Sequence, residues 1–114
     1  IQLVVGHLGE RIPYDLWRVD HRIKKSPQGL PAKKTMREYM LSNVHLTTSG
    51  NFWDPTLHCA MTEVGADRIM FSVDYPFETT EDAVKWFETS EISETDRLKI
   101  GRTNAIELFK LNMN

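Results

Sequence analysis

The sequence contains few of the features that mark secreted, membrane-spanning or nucleic-acid-binding proteins. Its 114 residues include one cysteine, Cys59, so no internal disulfide can form, and a reducing cytoplasmic compartment is the simpler expectation. No run approaches the roughly 18 consecutive apolar residues that a membrane helix needs. With 14 basic and 16 acidic residues the net charge is −2, which gives no sign of binding to nucleic acid or to an anionic membrane.

Internal repeats, low-complexity tracts and flavin, nicotinamide or pyridoxal motifs are also missing. What remains is the composition of an ordinary folded domain, with 40% hydrophobic and 26% charged residues. The chain opens on Ile1, inside an apolar strand pattern and without an initiator methionine. We therefore expect the chain to be a segment of a larger protein.

Three short apolar runs alternate with stretches of helical periodicity, which predicts βα units and a parallel sheet. The strands are expected at residues 1–5, 44–48 and 68–72. Helices are expected from Pro13 to Ile23, over 35–41, from an Asp54 cap to Val64, after Thr80, from Ser93, and over 103–109. Three strands alone leave an exposed sheet edge, which favours an α/β segment of a larger barrel.

Ionisable side chains follow the ends of two of these strands, and a polar run follows the third. His7 and Glu10 come after the first strand, residues 48–51 after the second, and Asp74 after the third. Reactive residues of parallel α/β folds gather at these carboxyl ends. His7 and Asp74 are therefore candidate catalytic or metal-binding residues, and Glu10 could orient the His7 imidazole. Arg18, on the first helix, could neutralise a substrate carboxylate.

Each of these residues also has an ordinary structural interpretation. His7 could be a loop residue that bonds to backbone, Glu10 a charge at a helix N-terminus, and Asp74 a turn residue before a proline. Arg18 could form a surface or subunit salt bridge. The spacing alone leaves both interpretations open. No functional prediction is made for His21, His45, His58 and Cys59. Cys59 is expected in the core.

Longer motifs in the same order resemble one enzyme family. Residues 5–14 (VGHLGERIPY) with 16–20 (LWRVD) are similar to the sixth-strand region of the non-oxidative hydroxybenzoate decarboxylases of the amidohydrolase superfamily. Residues 47–52 (TTSGNF) resemble the seventh-strand loop of that family, and 65–78 (GADRIMFSVDYPFE) its eighth strand. The family includes γ-resorcylate, 2,3-dihydroxybenzoate and salicylate decarboxylases.

The resemblance implies that residues 1–114 are the C-terminal segment, about strands six to eight, of one metal-dependent (β/α)₈ TIM barrel. It makes Asp74 a metal ligand and proton carrier, with the other ligands upstream of this chain. His7 would lie near metal and substrate, Glu10 would orient His7, and Arg18 would lie near the active site or a subunit interface.

The implied activity is reversible decarboxylation of an ortho-hydroxylated aromatic acid such as 2,3-dihydroxybenzoate, with one divalent ion (zinc, manganese or magnesium) in a homodimer or homotetramer. Two alternatives stay open. One is a pyrimidine-carboxylate decarboxylase or a hydrolase of the same superfamily, in which Asp74 would serve as the base for a water nucleophile. The other is an inactive barrel segment, whose helix at residues 14–25 would serve oligomer assembly.

Overall fold

A three-stranded parallel sheet with helices against one face forms the centre of the chain. The computed structural model describes residues 1–113. The strands are β1 (Leu3–Val5), β2 (Val44–Thr47) and β3 (Ile69–Met70), in the order β1-β2-β3. The helices are α1 (Ile12–Lys25), α2 (Met36–Asn43), α3 (Asp54–Val64), α4 (Thr80–Thr89), α5 (Glu94–Leu98) and α6 (Asn104–Phe109). Single 3₁₀ turns lie at His7–Gly9 and Ala66–Arg68, and a π-helical turn, Lys99–Thr103, joins α5 to α6.

The expected parallel α/β arrangement is confirmed, although the strands are shorter than the apolar runs. Leu3 pairs with Val44, and Leu46 pairs with Ile69. The third strand has two residues instead of five, because Phe71 donates its backbone hydrogen bond to Ile100 in the π-helical turn and not to a strand. None of the helices within residues 1–113 is long and apolar enough to cross a membrane.

Local signals set most of the helix ends. Pro13 lies in the first turn of α1, and Thr35 forms a capping box with Glu38 at the start of α2. Gly65 ends α3 at a φ of 84°, a conformation that glycine adopts without a steric penalty. The expectation that Asp54 caps α3 is wrong. Trp53 holds that position, and no side chain caps it.

The Asp54 carboxylate instead accepts hydrogen bonds from α4 and from the residues that follow it. Its Oδ1 accepts a hydrogen bond from Trp86 Nε1 at 2.8 Å, and its Oδ2 accepts one from the Glu91 backbone at 3.0 Å. These bonds tie the start of α3 to the end of α4. A tertiary contact has therefore replaced the local cap.

The core lies between the sheet and the helices on one side of it. Its fully buried side chains come from both layers: Leu8, Leu16, Leu46, Leu57, Ile69 and Ile100. The opposite face of the sheet is partly exposed within residues 1–113, where Val4 of β1 is 46% exposed. Two expectations about packing fail. The helical spacing of residues 103–109 predicts that Phe109 points inward, yet it is 57% exposed, and Cys59, expected in the core, is only partly buried.

Asn104 is the buried residue of α6, with 6% of its surface exposed. Its Nδ2 donates hydrogen bonds to the carbonyls of Ala66 at 2.7 Å and Ile69 at 2.8 Å, which fixes α6 beneath β3. A buried carbonyl that loses its partner destabilises a protein by roughly 1–3 kcal/mol.

We expect Asn104→Ala in the full-length protein to lower the free energy of unfolding by about 2–3 kcal/mol, because both carbonyls lose their donor. Asn104→Asp should destabilise more, since a carboxylate would face two carbonyl oxygens. Thermal unfolding measures both variants, with the exposed loop residue Gln28→Ala as the control. Equal melting temperatures for Asn104→Ala and the control would contradict this role of Asn104.

Candidate functional site

His7 and Glu10, three residues apart, meet Asp74, 67 residues further along the chain, at the carboxyl ends of β1 and β3. The His7 Nδ1 atom lies 2.5 Å from Glu10 Oε1, and the His7 Nε2 atom lies 3.4 Å from Asp74 Oδ2. His7 is therefore held between two carboxylates. The side chains stay accessible, with exposed fractions of 43% for His7, 32% for Asp74 and 68% for Glu10. The sequence predicted this grouping correctly as a cluster at strand ends.

The electrostatics of the cluster favour a protonated imidazole. The hydrogen bond with Glu10 is the largest influence and raises the pKa of His7 above its ordinary value. Partial burial opposes this rise, and the hydrogen bond with Asp74 adds to it. His7 can thus hold a proton on Nε2 and present it to the Asp74 carboxylate.

Glu10→Gln should lower the pKa of His7, because the amide keeps a hydrogen-bonding group but removes the negative charge beside Nδ1. The titration of the His7 ring signals by NMR in metal-free protein measures the shift. Glu94→Gln, an exposed glutamate paired with Arg97, is the matched control. An unchanged His7 titration in Glu10→Gln would show that Glu10 does not act on the imidazole.

The backbone around the cluster adopts conformations that side-chain-bearing residues rarely take. His7, Glu10 and Asp74 have φ values of 53°, 55° and 82°. Positive φ is uncommon outside glycine, and such residues concentrate at functional sites. All three candidate residues share this feature, so the fold holds them in place at the expense of local strain. Asp74 also begins a turn, since its carbonyl accepts hydrogen bonds from the Phe77 and Glu78 amides, so its functional role stays a prediction.

The loop after β2, residues 48–51, holds the two flanking strand ends together. Thr48 is fully buried, and its hydroxyl donates to the Ser72 carbonyl at 2.9 Å and accepts from the Ser72 amide at 3.0 Å. Ser49 Oγ accepts from the His7 amide at 3.2 Å, and Asn51 Nδ2 donates to the His7 carbonyl at 3.4 Å. The middle loop thus positions both His7 and the segment that leads to Asp74.

Gly50 lies where His7 and Asp74 approach each other. A Cβ atom at this position would lie 2.9 Å from His7 Cδ2 and 3.0 Å from Asp74 Oδ2, and the φ of Gly50 is 66°. Only glycine fits both the space and the backbone conformation. The sequence indicated a polar loop here, but the role of Gly50 depends on a close contact that the motif does not reveal.

An open cleft of about 630 Å³ begins beside this cluster. Its walls include Glu10, Arg11 and Tyr14 from the β1 side and Asn51 and Trp53 from the β2 side. Of the candidate residues, Glu10 lines this cleft, whereas His7 and Asp74 are not among its lining residues. A second cleft, of about 480 Å³ around Trp86, contains none of the candidate residues.

Arg18 does not join the cluster within this chain. It lies on the exposed side of α1, and within residues 1–113 it makes no hydrogen bond or ion pair with His7, Glu10 or Asp74. Nearby on the same helix, Trp17 is 66% exposed and stacks on His21, with ring centroids 4.7 Å apart. A role for Arg18 at a substrate or a subunit interface stays a prediction.

The donor set suits a divalent metal but is incomplete. An imidazole nitrogen and a carboxylate oxygen converge at His7 and Asp74, and zinc and manganese both accept these donors. In the described part of the chain, no three His, Cys, Asp or Glu side chains are grouped closely enough to hold an ion. A metal bound at Asp74 would thus draw further ligands from elsewhere in the protein.

Comparisons with known proteins agree with the fold and with the motifs. A family model described as amidohydrolase matches residues 1–111. The γ-resorcylate decarboxylase of Rhizobium sp. strain MTP-10005 is 51% identical over 114 residues, which cover 98% of this chain and 35% of that protein. The chain therefore spans about a third of the length of the relatives it matches.

Solved structures give the same result. The dihydroxybenzoic acid decarboxylase of Polaromonas sp. JS666, with bound manganese and the inhibitor 2-nitroresorcinol, is 50% identical with a TM-score of 0.93, over 99% of this chain and 35% of that one. A 2,6-dihydroxybenzoate decarboxylase in complex with 2,6-dihydroxybenzoate is 51% identical with a TM-score of 0.92, over 96% and 35%. The predicted resemblance to hydroxybenzoate decarboxylases is confirmed.

Proposed function

The chain belongs to the amidohydrolase family, and from this we propose that the full-length protein is a metal-dependent, non-oxidative decarboxylase. The substrate would be an ortho-hydroxylated aromatic acid, with 2,6-dihydroxybenzoate favoured over 2,3-dihydroxybenzoate and salicylate by the 51% identity to a γ-resorcylate decarboxylase. The contact between His7 and Asp74 at the strand ends carries the proposal. An imidazole and a carboxylate in contact at the carboxyl ends of barrel strands support a proton-transfer role for this pair.

We propose that the chain supplies three neighbouring strands of a single eight-stranded barrel domain. A coverage of 35% of the relatives' length fits three strands out of eight. The numbering of these strands within the barrel, six to eight by the motifs, stays a prediction. The partly exposed sheet face of this chain would then belong to the barrel interior.

Asp74 would hold the metal, and His7 would lie beside it. A divalent ion held there would supply positive charge that orients the substrate oxygens, and the ortho hydroxyl would then feed electron density into the ring carbon that carries the carboxylate. Manganese in the Polaromonas relative supports a divalent ion. Zinc and magnesium remain candidates for this protein.

The chemical step that we assign to Asp74 is proton delivery. Protonated Asp74 gives its proton to the ring carbon that carries the carboxylate, and aromaticity is lost at that carbon. The carbon–carbon bond then breaks, its electron pair restores the aromatic ring, and CO₂ leaves. The Asp74 carboxylate remains, and a general acid in this position contributes about 10²–10⁴-fold to a rate.

His7 would return the proton to Asp74. Its Nε2 atom lies 3.4 Å from Asp74 Oδ2, and its raised pKa favours the protonated ring that such a transfer needs. Glu10, 68% exposed, connects Nδ1 to solvent and keeps the ring oriented. We infer a proton route from water through His7 to Asp74, which microscopic reversibility also allows for phenol carboxylation at high bicarbonate.

The alternative within the superfamily is hydrolysis, in which Asp74 would accept a proton from a water nucleophile. The relatives with 51% sequence identity to this chain are decarboxylases, which favours decarboxylation over hydrolysis.

A cytoplasmic homodimer or homotetramer, with Arg18 near a subunit interface, is also part of the proposal. The exposed Trp17 and Tyr14 on the same helix support an interface there.

A substrate panel tests the proposal. The full-length, manganese-loaded protein is offered 2,6-dihydroxybenzoate, 2,3-dihydroxybenzoate and salicylate, and CO₂ and the matching phenol are measured together. Simple lactones and dihydropyrimidines serve as hydrolase substrates in parallel. We expect equimolar phenol and CO₂, with 2,6-dihydroxybenzoate the best substrate. Hydrolysis without any CO₂ release would move the assignment to a hydrolase.

A further inference from the structure

A buried serine lies beside His7, and the chemical steps proposed above do not use it. Ser49 is 8% exposed, and its Oγ atom accepts a hydrogen bond from the His7 amide at 3.2 Å. The same oxygen lies 3.0 Å from the Thr47 hydroxyl oxygen. A hydroxyl can accept one hydrogen bond and donate another, so Ser49 can bond to both neighbours at once. Its oxygen is therefore held from two sides.

Gly6 leaves the space that this hydroxyl occupies. A Cβ atom at Gly6 would lie 2.7 Å from Ser49 Oγ, well inside van der Waals contact, and 3.9 Å from Thr47 Oγ1. The backbone of Gly6, with a φ of −73° and a ψ of −179°, is open to any residue. The lack of a side chain at Gly6 is therefore matched to the Ser49 hydroxyl and not to the backbone conformation.

The hydrogen bond from the His7 amide acts where the backbone leaves its ordinary conformation. His7 directly follows Gly6 and has a φ of 53°. A residue other than glycine keeps such a conformation only where its surroundings hold it. Two side chains hydrogen-bond to the His7 backbone, Ser49 at 3.2 Å and Asn51 at 3.4 Å. Ser49 is the buried one of the two, whereas Asn51 lines the open cleft, so water competes less for the bond to Ser49.

We propose that Ser49 is a positioning residue for the proton transfer between His7 and Asp74. Its hydroxyl holds the His7 backbone in the left-handed conformation from which Nε2 reaches Asp74 Oδ2 at 3.4 Å. The contact is with the backbone of His7, so Ser49 acts on the position of the imidazole and not on its chemistry. The kinetic part of this inference rests on the proposed decarboxylation, whereas the structural part does not.

Ser49→Ala in the full-length, manganese-loaded protein removes the acceptor of the His7 amide. We expect kcat for 2,6-dihydroxybenzoate to fall roughly tenfold with KM changed less than about twofold, because a misplaced imidazole slows proton transfer more than binding. The matched control is Ser90→Ala. Ser90 is 4% exposed, and its hydroxyl donates to the Phe87 carbonyl at the end of α4. This control should lower the melting temperature and keep kcat, and an unchanged kcat in Ser49→Ala would overturn the proposal.

Substitution of Gly6 separates positioning from packing. Gly6→Ala should lower both kcat and the melting temperature, because the methyl displaces the Ser49 hydroxyl, and it decides the case if Ser49→Ala does not fold. In the double variant Gly6→Ala/Ser49→Ala the methyl takes the space that the hydroxyl leaves. The melting temperature should then recover relative to Gly6→Ala, while kcat stays roughly tenfold low. A double variant with wild-type kcat would show that Ser49 only fills space.

Hydrogen exchange of the His7 amide tests the structural part without any substrate. In the full-length protein we expect exchange about fivefold faster in Ser49→Ala than in wild type, because the amide has lost one hydrogen bond. Ser90→Ala should leave the His7 amide unchanged, and equal exchange in Ser49→Ala and wild type would refute the inference. The two claims fail separately: a protein that releases no CO₂ but shows the faster exchange loses only the proposed function. An active protein in which Ser49→Ala changes neither kcat nor exchange loses only this inference.

Discussion

Asp74→Asn is expected to reduce the turnover number of the full-length protein by a factor on the order of 10³. The amide keeps the shape of the side chain but cannot carry a proton to the ring carbon. It also weakens a ligand of the metal, so metal content is measured in the same samples. Turnover of 2,6-dihydroxybenzoate at saturating metal is the measurement.

The matched control for this variant is Asp67→Asn. Asp67 is an exposed aspartate that pairs with Lys99 at 2.8 Å and lies before β3 and not after it. We expect this control to keep wild-type turnover. An Asp74→Asn protein with bound metal and more than about a tenth of wild-type activity would show that Asp74 does not deliver the proton.

Gly50→Ala has the second-largest expected effect, a loss of about 100-fold in turnover number. The added methyl would lie within 3.0 Å of both His7 and Asp74, so these two side chains would have to separate. Misplacement of catalytic groups by about an ångström can lower a rate by that factor. Turnover and melting temperature are measured together.

Gly29→Ala separates the effect on the site from the effect on the backbone. Gly29 has a φ of 72°, close to the 66° of Gly50, but a Cβ there would meet no atom within 4 Å. In both variants the free energy of unfolding should fall by roughly 1–2 kcal/mol, because alanine is strained in the left-handed conformation. Only Gly50→Ala should lose activity. If both variants keep wild-type turnover, the contact at Gly50 has no catalytic importance.

Features that depend on a few neighbouring residues were predictable from the sequence. The capping box at Thr35 and Glu38 and the cap at Ser93 are local, since both partners lie within one helical turn. The approach of His7 to Asp74, 67 residues apart, was also predictable. Parallel strands bring their carboxyl ends to one edge whatever the length of the connections.

Features that depend on tertiary contacts were not predictable in the same way. Asp54 has the residue type and position of a helix cap, but the Trp86 indole and the Glu91 amide engage its carboxylate. The role of Gly50 arises only when three loops pack together. Phe109 follows the inward period of α6, yet as the last residue of that helix it is 57% exposed.

We propose that the strand ends of this chain belong to a metal-dependent site for an aromatic acid. The most direct measurement is an anomalous difference map from crystals of the full-length protein grown with manganese and 2-nitroresorcinol. We expect a manganese peak within coordination distance of the Asp74 carboxylate, with the aromatic ring beside it and the His7 ring in contact with Asp74. A manganese ion or an aromatic ring bound away from Asp74 and His7 would contradict it.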